Sequence, residues 1–162
     1  MLLLCVPMLA FAKEKRDDSK YLAGAVPEVN GQVLFQQTFA VKDKNKQEIY
    51  AVMKEYIRQM TKEEIQMQGT KMVMEDSVEG TVVGRFEEWM TFKKKPLVWD
   101  RTRFRYLLTA ECSDGKCHMT LTQISYYYEE DNDGYNGRTY RAEEWINDAN
   151  ALNKAKTKLL WG

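Results

Sequence analysis

The sequence predicts an α+β domain: an antiparallel sheet of about five strands with two helices on one face, in the order β-α-β-β-β-β-α. Apolar residues alternate with period two along five stretches and on one side only, as in an antiparallel sheet with one covered face. Two further stretches space their apolar residues by three and four, the mark of helices that bury a single stripe. Two such helices laid across the apolar face of the sheet give a two-layer domain. With 162 residues, 44% of them hydrophobic and 30% charged, the chain has enough apolar surface for one core. That composition excludes a disordered tail and a disulfide-dominated miniprotein.

The elements follow in order. Val26-Pro27-Glu28-Val29-Asn30-Gly31 is a turn. Val33, Phe35, Phe39 and Val41 then alternate as a half-buried strand, with Gln37 the only polar interruption. Asn45 caps a helix, and Glu48, three residues on, reaches back in a capping box. Ile49, Val52, Met53, Tyr56, Ile57 and Met60 form its apolar stripe. After Gly69 the period returns to two, through Met72 and Met74, a turn at Val78-Glu79-Gly80, and Val82, Phe86, Met90 and Phe92 on one face of a long strand. Lys93-Lys94-Lys95-Pro96 breaks that strand. Phe104, Tyr106, Leu108 and Ala110 lead to a hairpin at Ser113-Asp114-Gly115-Lys116, and Met119 and Leu121 carry the pattern back to Tyr126-Tyr127-Tyr128. Glu129-Glu130-Asp131-Asn132-Asp133-Gly134 is a loop, after which Ala142, Trp145, Ile146, Ala149 and Leu152 mark the second helix. There is no internal repeat and no low-complexity segment.

Residues 1–12 read as the apolar core and cleavage site of a secretory signal: Met1 to Ala12 is uncharged and stops at Ala10-Phe11-Ala12 before Lys13-Glu14-Lys15-Arg16. The positive residues that usually precede such a core are missing, which a start codon placed too late accounts for. A buried N-terminal strand and lipidation at Cys5 are the alternatives, and the bulky Leu2-Leu3-Leu4 disfavours the second. The run is too short to span a bilayer, which takes about 20 residues as a helix. Cleavage near Ala12 places the mature chain in the periplasm or outside the cell, with no transmembrane segment. Residues 13–25 form a flexible leader, and 26–162 a single domain.

Cys112 and Cys117 flank the Ser-Asp-Gly-Lys turn, and pairing them also pairs Ala110 with Met119 and Leu108 with Leu121. All six residues then share one apolar face. An exported chain meets oxidising surroundings, so the two cysteines are a disulfide candidate. A metal site built from Cys112, Cys117 and His118 fails, because His118 points to the other face of its strand and no fourth ligand is near.

Other chemistry is sparse. His118 is the only histidine, and no Gly-x-Ser-x-Gly, phosphate loop or His-Glu-x-x-His occurs. Neighbouring acids at Glu87-Glu88, Glu129-Glu130 and Glu143-Glu144 read as solvated surface. The acidic run from Glu129 opens like a calcium loop, but its twelfth position is Tyr140 where a bidentate Glu belongs. Lys93, Lys94, Lys95, Arg101, Arg103 and Arg105, interleaved with Trp99, Phe104 and Tyr106, suit either a polyanion or the plain polar face of a strand. Formal net charge is zero, with 24 Lys+Arg against 24 Asp+Glu, so the electrostatic footprint of a nucleic-acid binder is absent. In Tyr126-Tyr127-Tyr128 at least one ring lies on the outer face.

Two blocks, Val26-Pro27-Glu28-Val29-Asn30-Gly31-Gln32-Val33-Leu34-Phe35 and Ala142-Glu143-Glu144-Trp145-Ile146-Asn147-Asp148-Ala149-Asn150-Ala151-Leu152-Asn153-Lys154, together with the signal-like start, resemble the secreted Bacteroidetes family called domain of unknown function 4468. The resemblance covers residues 26 to about 160 and implies a TBP-like fold, a curved antiparallel sheet backed by helices. It transfers no catalytic or binding residue, because the family carries no established activity. Family members continue past Lys156-Thr157-Lys158-Leu159 into another basic segment, which implies that this end, closing at Gly162, is truncated or divergent.

The function expected is an exported, non-enzymatic binding or interaction module that uses the exposed face of its sheet, through Arg103, Arg105, Tyr126 and Tyr128. Its partner is an unknown protein or glycan of the cell envelope, and it takes no nucleic acid, cofactor or metal. The alternative is a periplasmic hydrolase or lyase acting through surface carboxylates around Glu87 and Glu129.

Overall fold

The computed structural model describes residues 22–95, 98–128 and 137–153, with the side chains of 93–95, 98 and 99 outside that description. The expected signal, the leader as far as residue 21, and the acidic run 129–134 with its calcium-loop reading lie outside the described residues.

A small hairpin, β1 (Glu28–Val29) and β2 (Gln32–Val33), precedes β3 (Phe35–Ala40), helix α1 (Lys46–Met60) and strands β4 (Lys71–Asp76), β5 (Thr81–Lys95), β6 (Val98–Ser113) and β7 (Lys116–Tyr128). The chain then adds β8 (Arg138–Arg141) and two single-turn helices, α2 (Ala142–Trp145) and α3 (Asp148–Ala151). Strands β3-β7-β6-β5-β4 lie side by side, with β8 also on β7, in one open antiparallel sheet of six strands. The α+β class and the element order expected from the sequence hold, with a sixth strand and the β1–β2 hairpin added.

Helix α1 starts where its sequence says it should. The Asn45 side chain accepts the Glu48 N–H at 3.0 Å, and the Glu48 carboxylate accepts the Asn45 N–H at 3.0 Å. Hydrogen bonds from Lys44 and from the Asn45 backbone hold the Glu48 carboxyl below its ordinary value. The helix buries Ile49, Tyr50 and Ile57 against Val82 and Phe86 of β5 and Tyr106, Leu108 and Ala110 of β6. Close approach is possible because Gly84 carries no side chain where α1 crosses β5: a Cβ there would stand 2.8 Å from Ile57 Cγ2. Lys54 and Arg58 fasten the helix to Glu75 of β4 at 2.7 and 3.1 Å. Val52 and Tyr56, on the side of the helix turned toward β3, line an open cavity and stay 67% and 51% exposed.

Three irregularities depart from simple alternation. Met72 and Met74 were expected on one face, but the pairing with β5 slips between them, and Val73 and Met74 are both exposed. Lys93–Lys95 do not break the β5 strand. They end it while paired with Val98–Asp100, after a second slip between Thr91 and Lys93, and the connection at 96–97 lies outside the described residues. The third slip lies in β7. Cys112 pairs with Cys117, Ala110 with Met119 and Leu108 with Leu121, the register read from the sequence, but beyond Thr122 the pairing moves by one residue. Gln123, at a φ of 51°, absorbs the extra length in the left-handed region.

The expected second helix is interrupted. Asn147 ends the first turn by donating from its side chain to Glu143 O, and caps the next by accepting from Asn150 N. A short amide side chain that bonds its own backbone competes with continuous helix. Trp145 of α2 sits among Phe92, Tyr126, Tyr128 and Tyr140, closing the core at this end.

Candidate functional site: the outer face of the sheet

Arg101, Arg103 and Arg105 follow at alternate positions along β6, so all three stand on the face away from α1. The registers place Thr91 opposite Arg101, Trp89 opposite Arg103 and Glu87 opposite Arg105 on β5, and Tyr127 opposite Arg103 on β7. Cations therefore alternate with rings across three neighbouring strands. The Arg101 guanidinium lies 3.8 Å from the Trp89 ring centre and that of Arg103 5.6 Å from it. Tyr127 has the Arg103 and Arg105 guanidinium groups 5.5 and 5.1 Å from its ring centre. All are within the range in which the electron-rich face of a ring attracts a cation.

Glu87 is the counter-charge. Its Oε1 accepts from Arg105 Nε and Nη2 at 3.0 and 2.8 Å, with Arg103 Nη1 at 3.7 Å, and its side chain is only 13% exposed. The segment between α1 and β4 shields it from one side, for Gly69 lies so close that any side chain there would collide with the carboxylate. Arg85 Nε donates to Gly69 O at 3.1 Å and extends the row of cations along β5. Three arginines on β6, one half-buried acid and two flanking rings make a pre-set cation–ring surface that can receive carboxylates, phosphates or sulfates and stack against flat groups.

Of the four residues expected to bind, Arg103 and Arg105 lie on this face. Tyr126 and Tyr128 do not. Tyr126 is 6% exposed and packs on Phe104 and Trp145, and burial raises its phenol pKa. Tyr128 stacks with Phe92, and its hydroxyl donates to Asp100 at 2.7 Å. The slip at Gln123 is the cause, because moving the register by one residue turns every later side chain of β7 to the opposite face. Tyr127 takes the outer position instead. Trp89 and Glu87 belong to the surface as well, and both were open to inference from the alternation that placed Phe86 and Met90 inside.

Cys112 and Cys117 face each other near the hairpin as free, buried thiols. Burial pushes the Cys112 thiol up to about 12 and raises that of Cys117. His118 turns to the outer face, where its Nδ1 lies 2.9 Å from Thr38 Oγ1. Glu88, next to Glu87, points to the covered side and accepts from Gln66 Nε2 at 2.9 Å. Among the described residues no cluster of His, Cys, Asp or Glu could hold a metal ion, and no helix is long and apolar enough to cross a membrane.

Comparison with known proteins agrees with this architecture. A crystal structure of a DUF4468 family protein from Bacteroides ovatus is 40% identical, with a TM-score of 0.81 over 90% of this chain and 81% of that one. A TBP-like protein from Parabacteroides distasonis is 15% identical and shares the fold, with a TM-score of 0.63 over 85% of this chain and 79% of that one. No curated protein matches the chain. The model of the domain of unknown function with TBP-like fold, DUF4468, matches residues 35–127, and with that match and the Bacteroides relative the chain belongs to this family.

Proposed function

We propose that the protein is an exported, non-enzymatic binding module of the cell envelope that engages a protein or glycan partner through the outer face of its sheet. The observation that carries this reading is the row Arg101, Arg103 and Arg105 set against Trp89 and Tyr127, with the half-buried Glu87 beside Arg105 as counter-charge. Guanidinium groups held against rings have already given up much of their rotamer freedom, so less entropy is lost when a partner docks. Export rests on the signal-like residues Met1 to Ala12. The carboxylate alternative gains no support from the geometry: Glu87 already takes two N–H groups on one oxygen, and Glu88 faces the other way.

The test is capture from envelope extract on immobilised protein, together with a panel of acidic and neutral glycans. Retention should fall at least about tenfold when Tyr127 and Arg105 are changed to Ala, a loss of the size seen for central interface residues, and should be unchanged in Thr120→Ala, further along the same face. Equal retention by all three proteins would overturn the assignment of this face.

A further inference from the structure

We propose that the chain forms a two-fold dimer in which β3 pairs antiparallel with β3 of a second copy, extending the sheet across the molecular boundary. Strand β3 lies at the edge of the sheet, pairs only with β7 among the described residues, and is exposed along all six positions. Edges of this kind are normally guarded by Lys, by Pro or by a bulge. Phe35-Gln36-Gln37-Thr38-Phe39-Ala40 has none of these guards.

The hydrogen-bonding phase of the strand is right for a partner. Val41 N donates to Gly115 O at 2.8 Å and Phe39 pairs with Cys117, so the odd-numbered residues direct their backbone groups to β7. Gln36, Thr38 and Ala40 direct theirs to the open edge. The side chains are symmetric about Gln37. Antiparallel self-pairing centred there sets Gln37 against its own copy, Phe35 against Phe39, and Gln36 against Thr38 as a hydrogen-bonded pair. Because the strand is uncharged, no like charges meet on the axis. A two-fold interface must be self-complementary, and this sequence is.

The same pairing covers the adjoining apolar surface. Between β3 and α1 lies a cavity of about 600 Å³ lined by Phe39, Val41, Ile49, Val52, Tyr56 and Met119. Phe35, Phe39, Val52 and Tyr56 are 38%, 44%, 67% and 51% exposed in the single chain. A two-fold axis perpendicular to the sheet keeps both α1 helices on one side, so the two cavities face each other across paired Phe35 and Phe39 rings.

Sedimentation equilibrium on the purified full chain tests this. The expected result is twice the monomer mass at micromolar concentration. Gln37→Lys and Gln37→Glu, each placing like charges on the axis, should weaken the dimer at least about threefold. An equimolar mixture of the two variants should restore it. Gln37 is exposed, and unchanged circular dichroism verifies that both variants fold. Thr38→Pro, which removes an N–H from the open edge but none from the β7 ladder, should abolish the dimer. A chain that stays monomeric at every concentration, as one whose edge serves a foreign segment would, overturns the proposal. So does a mixture that associates no better than either variant alone.

Discussion

Arg105 grips a single oxygen of Glu87 with two of its N–H groups, Nε at 3.0 Å and Nη2 at 2.8 Å, on a sheet face otherwise turned outward. The acid fixes the direction of the guanidinium, and the Tyr127 ring then has a cation 5.1 Å from its centre. Glu87 therefore organises the face without being accessible enough to serve as its contact.

Removing that acid should loosen the face and cost stability. Glu87→Gln is expected to lower the free energy of unfolding by about 1–2 kcal/mol, since the arginines lose a charged acceptor in a partly buried setting. For a domain of this size that corresponds to a fall of roughly 2–8 °C in the thermal midpoint. An unchanged midpoint would mean that the pair is fully solvated.

Gly84 marks the closest approach of helix and sheet. In Gly84→Ala the new methyl would stand 2.6 Å from the Phe86 ring and 2.8 Å from Ile57, both fully buried. Helix α1 must lift or Phe86 must leave its rotamer, and the urea midpoint should fall by the equivalent of about 1–3 kcal/mol. A neutral substitution would show that the contact relaxes freely.

Thr102 offers the reverse case. It is fully buried on the covered face, and its hydroxyl has no hydrogen-bond partner among the described residues. Thr102→Val keeps the shape and removes the unsatisfied oxygen, so unfolding in urea should shift to higher concentration by about 1 kcal/mol of stability. Destabilisation would reveal a partner for the hydroxyl.

Cys112 and Cys117 should close into a disulfide when oxidised glutathione is supplied. The two thiols give up two protons and two electrons, the glutathione disulfide becomes two glutathione thiols, and the protein loses two hydrogens in mass. Both thiols carry a raised pKa, so alkylation of the folded, reduced protein should be slow at neutral pH. Raised thiol values in the folded state also mean that their contribution to stability is complete below the unfolded thiol value. It is lost as pH climbs toward about 12, the folded value of Cys112. Rapid labelling at pH 7 with no oxidation would contradict this.

The sequence exposes those features that depend on neighbours along the chain. Asn45 and Glu48 announce a capping box because both partners lie within one turn, and Asp114-Gly115 fixes Cys112 opposite Cys117 because turn geometry sets the first few pairs. What it hides is where a ladder slips. Val73 and Gln123 are ordinary strand residues by composition, yet the registers shift beside them, and Gln123 has a positive φ without being Gly. Period-two reasoning carried through such a point assigns every later residue to the wrong side. Tyr126 and Tyr128 were misplaced in this way, while Arg103 and Arg105, on a strand whose pairing with β5 is regular there, were not.

That single irregular residue also governs how this surface can diversify. Deleting Gln123 would restore the ladder and swap Tyr126 and Tyr128 for Tyr127 on the solvent side, burying one ring where two had been. A one-codon gap, with no substitution at all, would give relatives of this chain a different chemical identity on the surface they show the outside world.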